Sequence, residues 1–369
     1  MTDMRLRPVR FLELAGWHDD DHSAALASFM ASVPAVLAGQ TVRGGRCDPA
    51  HDAALLDACR FASRWLGRRV SRDRARSFFE RFFVPHRILH DRLHGLLTGY
   101  YEPIVEGSRT RDDRFKVPLY RRPEDLANVV AETERAREGL SFTHMRRTAN
   151  GLVPFATRAE IEAGALSGLG LEIIWLADPV EAFFAQVQGS VRVKLPDGTS
   201  VGLTYDGKNG HPYTSIGRIV IDQGEMTAAD MSMARLGAWL RANDARGRTT
   251  MQHNASFVFF REVEGQSASG ALGCPLSPGR SLAVDTGYHA LGLPVFVDAP
   301  GLLHWGRRLP FRRLMIAQDV GSAIRGAERG DIYFGTGAIA EQRAGVTKHR
   351  ANMFMLLPRL ERSKRWRSR

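Results

Sequence analysis

The sequence predicts a mainly β protein with a helical N-terminal part, and two features of its patterning lead to this fold class. In the first third of the 369 residues, apolar side chains recur at helical spacing. From about residue 254 onward, short apolar strands such as SFVFFRE, SLAVD, LPVFVD and RLMIAQD alternate with glycine-containing turns. Many short strands separated by such turns favour a β-barrel over a doubly wound parallel sheet.

Three helices are predicted before residue 90. HDDDHSAALASFMASVPAVL opens with acidic residues that can cap a helix and continues with helix-forming residues. HDAALLDACRFASRWLG places Leu55, Cys59 and Ala62 on one helical face. In SRDRARSFFERFF, Ser71 is the expected N-cap residue. The following segment, LHGLLTGYYEPIVEG, has the residue types of a β-strand, which Pro103 ends.

Residues from about 104 to 253 contain their own mixture of elements. RAEIEAGAL (158–166) predicts a short helix, and TAADMSMARLGAWLRAN (227–243) predicts a longer one. The clearest hairpin of the chain lies between them, where SVRVKL and SVGLTY alternate in hydrophobicity around a Pro-Asp-Gly turn. The chain length also suggests two domains, or one domain with a large insertion.

The net charge of +11 indicates an anionic partner. Nucleic acid, anionic lipid and a polymer that bears carboxylates all satisfy this condition, and the sign of the charge does not choose among them. A nucleic-acid binder should also interleave aromatic with basic residues on one face, a pattern that the sequence does not show. We therefore expect no nucleic-acid partner.

The cysteines and the known short motifs exclude several other classes. Cys47, Cys59 and Cys274 are odd in number and lack C-x-x-C spacing, so we expect buried free thiols, with no disulfide framework or zinc site. No Walker A, G-x-G-x-x-G or HExxH motif is present, and neither a metal nor a cofactor is expected. No apolar run reaches the roughly 20 residues that span a bilayer. The first residues contain no signal-peptide pattern and no lipobox cysteine, which by itself indicates a cytoplasmic protein or a missing export signal.

Three aspartates stand at the ends of short apolar strands. Asp285 follows SLAV, Asp319 follows LMIAQ, and Asp331 precedes IYFG. At the rim of a barrel, strand ends are positions from which a side chain leaves a rigid scaffold and reaches solvent. These aspartates are therefore candidates for chemistry, although each could also serve as a turn former or a cap.

The stretch DIYFG predicts an aromatic neighbour for Asp331. A strand period of two puts Asp331 and Tyr333 on one face, which can line a groove, and Ile332 and Phe334 in the core. This pair suits a carbohydrate, because sugar rings pack on aromatic faces and a glycosidic oxygen needs an acid as it leaves. Partial burial beside tyrosine should raise the pKa of the carboxyl.

Glycines surround the second and third aspartates. Gly321, Gly326 and Gly330 are expected to permit positive φ angles and to let a bulky polymer approach the backbone closely. Gly330 is therefore a candidate substrate contact. Glu102, a further carboxylate in the strand segment before Pro103, is expected to pair with an arginine.

The ordered stretches LTGYYEP, SFVFFRE, LSPGRSLAVDTGYHALGLPVFVD and RLMIAQDVGSAIRGAERGDIYFGTG resemble the membrane-bound lytic murein transglycosylase A (MltA) family. The C-terminal part resembles its three-aspartate (3D) domain, and the likeness runs from about residue 93 to 357. It implies a double-psi β-barrel domain built from residues 1–103 and 254–369. It also implies an inserted, β-rich substrate-binding domain over residues 104–253, with a groove between the two domains.

The same resemblance implies a reaction and a set of site residues. MltA enzymes cleave the β-1,4 bond between MurNAc and GlcNAc in peptidoglycan without water and leave a 1,6-anhydromuramyl end. The catalytic acid falls on Asp331, the supporting aspartate on Asp319, and the third aspartate of the domain, taken as a substrate contact, on Asp285. Tyr100 and Tyr101 fall where the family's strand lines the groove. One departure is Gly321-Ser322, where a glycine pair is expected.

The expected partner is the glycan strand of peptidoglycan, bound by a monomer in the periplasm or cell envelope. Association with the wall or the outer membrane is a further expectation. Two alternatives stay open, namely a non-catalytic barrel that binds polysaccharide and an ordinary glycoside hydrolase with two carboxylates. Intact Asp319 and Asp331 argue against the first.

Overall fold

The computed structural model describes residues 4–40, 49–90, 95–129, 142–265, 268–303 and 309–360. The chain divides into two compact units. The first unit comprises Met1–Gly99, Gly270–Tyr333 and Thr347–Arg369, and the second comprises Tyr100–Ser269 and Phe334–Val346.

The described helices and strands are numbered in chain order. The helices are α1 (His22–Leu37), α2 (Pro49–Ala62), α3 (Arg72–Phe82), α4 (Pro179–Gln188), α5 (Ile216–Asp222), α6 (Met233–Ala242), α7 (Asp244–Gln252) and α8 (Ala338–Gly345). The strands are β1 (Arg5–Pro8), β2 (Phe83–Leu89), β3 (Gly95–Glu102), β4 (Ile104–Ser108), β5 (Val117–Tyr120), β6 (Leu126–Asn128), β7 (His144–Thr148), β8 (Gly151–Val153), β9 (Glu172–Leu176), β10 (Ser190–Lys194), β11 (Ser200–Lys208), β12 (Val258–Val263), β13 (Ser281–Val284), β14 (Pro294–Ala299), β15 (Phe311–Asp319), β16 (Arg329–Thr336) and β17 (Lys348–Pro358). Short helical turns occupy Phe11–Glu13, Trp17–Asp19, Ser63–Trp65, Arg158–Glu160 and Ile161–Ala165.

Six strands of the first unit close into a barrel. The sheet order is β1-β2-β17-β14-β15-β13-β16-β3, and β17 also pairs with β3. The ring β17-β14-β15-β13-β16-β3 therefore returns to its starting strand, which leaves no open edge within the ring. The prediction of a mainly β protein with a barrel and a helical N-terminal part is confirmed.

The predicted N-terminal helices are present in the first unit. Asp21 caps α1, because its Oδ1 accepts hydrogen bonds from the backbone N–H groups of Ser23 (3.1 Å) and Ala24 (3.2 Å). Ser71 occupies the N-cap position of α3, as predicted, but makes no side-chain capping bond there. The helices are held together largely by aromatic contacts around the buried Phe29, whose ring lies 5.5 Å from that of Phe78.

The second unit contains a separate six-stranded sheet. Its order is β12-β11-β10-β4-β9-β5, and a single bridge between Arg121 and Phe260 joins the two outer strands. The predicted hairpin is confirmed as β10 and β11, where Val193 faces Val201 across the pair. The predicted helix over 227–243 is shorter than expected: α6 begins only after Ser232, whose hydroxyl accepts a bond from the N–H of Arg235.

The bounds of the two units differ from the predicted domain limits at three segments. The sequence places residues 100–103, 254–269 and 334–346 in the barrel domain, whereas all three belong to the second unit. The segment 254–269 contains β12, which pairs along β11. The segments 100–103 and 334–346 contact each other, because the carbonyl oxygen of Glu102 accepts a hydrogen bond from Gly337 N (2.9 Å). Such pairings join residues that are distant in sequence, so local patterns do not predict them.

Two of the cysteines behave as expected. Cys59 and Cys274 are buried free thiols, and burial raises the pKa of Cys59 to about 12 and that of Cys274 to about 11. Cys47 lies outside the described residues. None of the helices in the part of the chain that the structure describes has the length and apolar character needed to cross a bilayer.

A buried ion pair connects the N-terminal part to the barrel within the first unit. The Arg280 guanidinium donates to both carboxylate oxygens of Asp20, at 2.7 and 2.8 Å, and to the carbonyl oxygen of Leu314 at 2.8 Å. The N–H of Leu314 in turn donates to Asp20 Oδ2 at 2.7 Å. Both charged side chains are 5% exposed or less, so each relies on the other for compensation.

We predict that Asp20→Ala lowers the free energy of unfolding by about 3–5 kcal/mol, because Arg280 stays buried and loses the carboxylate that it contacts. Urea denaturation measures the difference. Asp57→Ala is the matched control, since Asp57 and Arg60 form an exposed pair whose removal should cost less than about 0.5 kcal/mol. Equal costs for the two variants would contradict a structural role for the buried pair.

Candidate active site

Asp319 and Asp331 lie on two different strands of the barrel, and both are register partners of Ala283 on the strand between them. Strand β13 is parallel to β15 and antiparallel to β16, and its Ala283 is the register partner of Asp319 in the first pair and of Asp331 in the second. Register partners point to the same face of a sheet, and neighbouring strands are about 4.8 Å apart. The two carboxylates therefore share one face, with backbones about 10 Å apart.

A β-bulge in β15 makes Asp319 the register partner of Ala283. Between β13 and β15 the register shifts, so that Leu282 pairs with Ala317 and the next residue, Ala283, pairs with Asp319. Gln318 is the extra residue, and its buried amide donates to the hydroxyl of Ser32 (2.7 Å) and to the carbonyl oxygen of Ser28 (2.8 Å). The bulge and its anchor in α1 thus fix the position of Asp319.

The Asp331 carboxyl is half-buried, and an ordered chain of hydrogen bonds holds it. Arg329 Nη2 donates to the Thr98 hydroxyl at 2.9 Å, and the Thr98 hydroxyl donates to Asp331 Oδ1 at 2.5 Å. Burial raises the pKa of Asp331 to about 6, against the lowering effects of the Arg329 charge and of the Thr98 hydrogen bond. The charge of Asp319 raises this pKa slightly further. The direction agrees with the sequence-based expectation.

Asp319 is half-buried and is oriented by the backbone. Its Oδ1 accepts hydrogen bonds from the N–H groups of Ala271 and Val320, both at 2.9 Å. Two donors on one oxygen fix the plane of the carboxylate at the end of β15. This arrangement suits a group that acts on Asp331 through its charge.

Asp285 holds two loops together. Its side chain is largely buried, Oδ1 accepts from Gly287 N at 2.9 Å, and Oδ2 accepts from Gly326 N at 2.7 Å. Arg325 Nη1 lies 3.9 Å from Oδ1. These contacts support a role in anchoring the loop that leads into β16, and the predicted substrate contact of Asp285 stays a prediction.

Comparisons with known proteins fit this geometry. Two family models match the chain, the MltA specific insert domain over residues 96–261 and the 3D domain over residues 280–357. The crystal structure of the membrane-bound lytic murein transglycosylase from Agrobacterium tumefaciens is similar at a TM-score of 0.83, with 36% identity over 96% of this chain and 97% of that chain. The chain belongs to the MltA family.

A curated protein and a solved structure from Escherichia coli are also similar to this MltA-family chain. Membrane-bound lytic murein transglycosylase A of strain K12 is 34% identical over 266 residues, which is 70% of this chain and 64% of that protein. The match therefore spans less than two thirds of the curated relative's length. The structure of E. coli MltA with bound chitohexaose has a TM-score of 0.65 and 27% identity, over 96% of this chain and 92% of that chain.

The aromatic side chains predicted to line a groove are buried in this family member. The expected core positions of Ile332 and Phe334 are confirmed, but Tyr333 is only 1% exposed, so the expectation that it lines an open face is wrong. A period of two assigns residues to faces but does not tell whether both faces are covered. Tyr100 and Tyr101, which belong to the second unit, are also buried, and their contact with substrate stays a prediction.

The glycines near the aspartates serve different purposes. Gly326 has a φ of +123°, as expected, but Gly321 and Gly330 do not have positive φ, so the expectation is wrong for these two. At Gly330 the reason for glycine is packing, because an added Cβ would lie 2.7 Å from Met353 Cε and 3.0 Å from Leu282 Cδ1. Its predicted contact with substrate stays a prediction.

Sequence reasoning missed Thr98 and Arg329 as partners of the acid. The available signal was a hydroxyl residue inside the strand segment LTGYYEP and an arginine two positions before Asp331. The expectation for Glu102 is confirmed: it is fully buried in the second unit and pairs with Arg192 at 3.3 Å. Among the described residues, no group of three or more His, Cys, Asp and Glu side chains is arranged to hold a metal ion.

We predict that Asp331→Asn stabilises the folded protein at neutral pH. The folded-state pKa of about 6 lies above the ordinary value of 3.8, so wild-type stability falls as pH rises through this window and the carboxyl ionises in its buried position. Asparagine does not ionise and can still accept the Thr98 bond. Urea denaturation should show a gain of about 1–3 kcal/mol near pH 7.5 that shrinks to about 0.5 kcal/mol near pH 4. A gain that does not vary with pH would contradict the raised pKa.

Proposed function

We propose that this protein is a lytic transglycosylase that cleaves the β-1,4 bond between MurNAc and GlcNAc in peptidoglycan. The bond is broken without water and leaves a 1,6-anhydromuramyl end. The observation that carries the proposal is a single half-buried carboxyl, Asp331, with a pKa raised to about 6 and an ordered donor on one oxygen. The names of the relatives and the chitohexaose in one related structure support the substrate class.

The hydrogen bonds around Asp331 support one position for the acidic proton. A threonine hydroxyl has one proton to donate, and Arg329 occupies the Thr98 oxygen as a donor, so the hydroxyl proton is directed to Asp331 Oδ1. When Asp331 is protonated, its own proton is therefore on Oδ2. At pH 7, a pKa of about 6 keeps about a tenth of the molecules in this acid form. Asp331 Oδ2 is thus the group that protonates the leaving glycosidic oxygen.

The same carboxyl can complete the reaction as a base. Once Asp331 has lost its proton, the charge of Arg329 and the Thr98 hydroxyl stabilise the carboxylate. That carboxylate then accepts the proton of the muramyl C6 hydroxyl, which attacks C1 of its own ring. The attack is favoured by proximity, because nucleophile and electrophile belong to one sugar. One carboxyl therefore serves both steps.

Asp319 acts in this scheme as a positioning residue. Its Oδ1 is committed to two backbone N–H donors, which suits an electrostatic role better than the acceptance of a proton from water. Its negative charge, on the same face as Asp331, raises the pKa of the acid and stabilises the oxocarbenium-like transition state. This favours the transglycosylase over an ordinary hydrolase with two catalytic carboxylates.

Each of the two units has its own role in this reaction. The first unit, which carries Asp319 and Asp331, is the catalytic domain. The second unit, most of which falls within the matched insert domain, binds the glycan strand and supplies Tyr100 and Tyr101. The protein acts as a monomer in the cell envelope, where peptidoglycan is found, in association with the wall or the outer membrane. The names of its relatives, which are membrane-bound, support this location.

We predict that Asp331→Asn and Asp331→Ala abolish cleavage, because neither side chain can protonate the leaving oxygen. Mass analysis of digested peptidoglycan is the measurement, since the anhydro product of the wild type is one water lighter than a hydrolysed product. Asp222→Asn, on an exposed residue of α5, is the control and should retain activity. Hydrolysed ends would indicate an ordinary hydrolase, and binding without cleavage by the wild type would indicate a non-catalytic binding protein.

We predict that Asp319→Asn lowers the cleavage rate by about a hundredfold while substrate binding persists. Asparagine can keep both backbone hydrogen bonds to Oδ1, so the change removes the charge with little change of shape. Loss of that charge should also lower the pKa of Asp331 and shift the pH–rate profile toward lower pH. Full activity of the Asn variant with an unchanged pH–rate profile would show that Asp319 only forms the turn after β15.

A further inference from the structure

The first unit contains a second concave feature that takes no part in the chemistry proposed above. It is a pocket of about 280 Å³, and its lining includes His90, Leu96, Tyr288, Arg325 and Glu328. This volume is near the lower end of the range for ligand pockets and suits a small group such as one or two amino-acid residues. A glycan strand would not fit within it.

The pocket adjoins the acid along the same strand face. Arg329 lines it and also donates to Thr98, which holds Asp331. Leu96, which is 40% exposed, precedes Thr98 by two residues on β3, just as Arg329 precedes Asp331 on β16. Alternate residues of a strand point to the same side and lie about 7 Å apart. The pocket therefore begins at the next residues on the same side of β3 and β16, close to a substrate bound at Asp331.

Arginines outnumber carboxyl groups in the lining of the pocket. His90 Nε2 and Glu328 Oε2 are 2.7 Å apart and both side chains are buried, so the Glu328 carboxyl is paired with His90. Arg325 and Arg329 also line the pocket. Asp285, which does not line the pocket, offsets part of the Arg325 charge from 3.9 Å, but its oxygens also accept bonds from backbone amides. The Arg325 side chain is 45% exposed and accessible to a ligand.

We propose that this pocket binds a carboxylate of the peptide that peptidoglycan carries on its glycan strands. A guanidinium group is the side chain best suited to a planar carboxylate, and Arg325 offers one at the open side of the pocket. Leu96 and Tyr288 provide apolar surface for the carbon atoms of the peptide. The inference rests on the proposed function, because it assigns a second contact to the same substrate.

The test measures binding separately from cleavage. The full chain with Asp331→Asn is titrated by calorimetry with glycan strands of one length that carry peptides, and with the same strands after the peptides have been removed. We expect about tenfold tighter binding of the peptide-bearing strands, and Arg325→Ala should abolish most of this ratio. Arg325→Lys, which keeps the charge, should preserve part of it. Arg68→Ala, at an exposed arginine of the same unit, is the matched control and should preserve it fully.

The outcomes distinguish this proposal from the proposed function. Equal weakening of both kinds of strand by Arg325→Ala would overturn the pocket assignment in favour of a sugar contact, and so would an unchanged ratio. Thermal unfolding of each variant identifies a loss of binding that comes from misfolding, and the Lys variant then decides the assignment. Wild-type protein that binds with the expected ratio but cleaves neither strand contradicts the catalytic function alone. Cleavage without any preference for peptide-bearing strands contradicts the pocket alone.

Discussion

Strand β13 pairs along both of its edges, and the arrangement of the candidate site depends on this constraint. Because β15 lies on one side and β16 on the other, Ala283 has an aspartate as its neighbour in both directions. Closure of the ring through β3 and β17 prevents the strands from slipping, since a shift of one residue would turn every side chain to the other face. The carboxylates are thus placed by the backbone of the barrel, which is more rigid than a loop.

The raised pKa of Asp331 reflects a balance of opposing effects. Burial of Asp331 makes ionisation costly, whereas Arg329 and the Thr98 hydroxyl favour the ionised form. A carboxyl that is fully ionised at neutral pH has no proton to give, and one that never ionised could not act as a base. In the proposed reaction, the pKa of about 6 would meet both demands, and it costs the folded protein some stability at neutral pH.

Hydrogen bonds and an ion pair also hold the segments around the two aspartates in place. Asp285 and the glycine at position 326 fix the loop that leads into β16, and the same loop carries Arg325 toward the small basic pocket. The amide of Gln318, the residue before Asp319, donates hydrogen bonds to Ser28 and Ser32 of helix α1 and so anchors the bulge. The buried pair of Asp20 and Arg280 joins the segment before α1 to the barrel. The N-terminal part therefore contributes to the stability of the barrel that carries Asp319 and Asp331.

The sequence by itself determined the features that depend on short-range pattern. Strand and helix periods predicted the hairpin of β10 and β11 and the helical N-terminal part, and the ordered motifs around Asp319 and Asp331 predicted the family. Only the tertiary structure decided the rest. Thr98 and Asp331 are 233 positions apart, the bulge at Gln318 exists only in the pairing with β13, and the burial of Tyr333 depends on what covers its strand. Hydrogen bonds, registers and burial are properties of segments that meet in space, and a local pattern contains no record of which segments will meet.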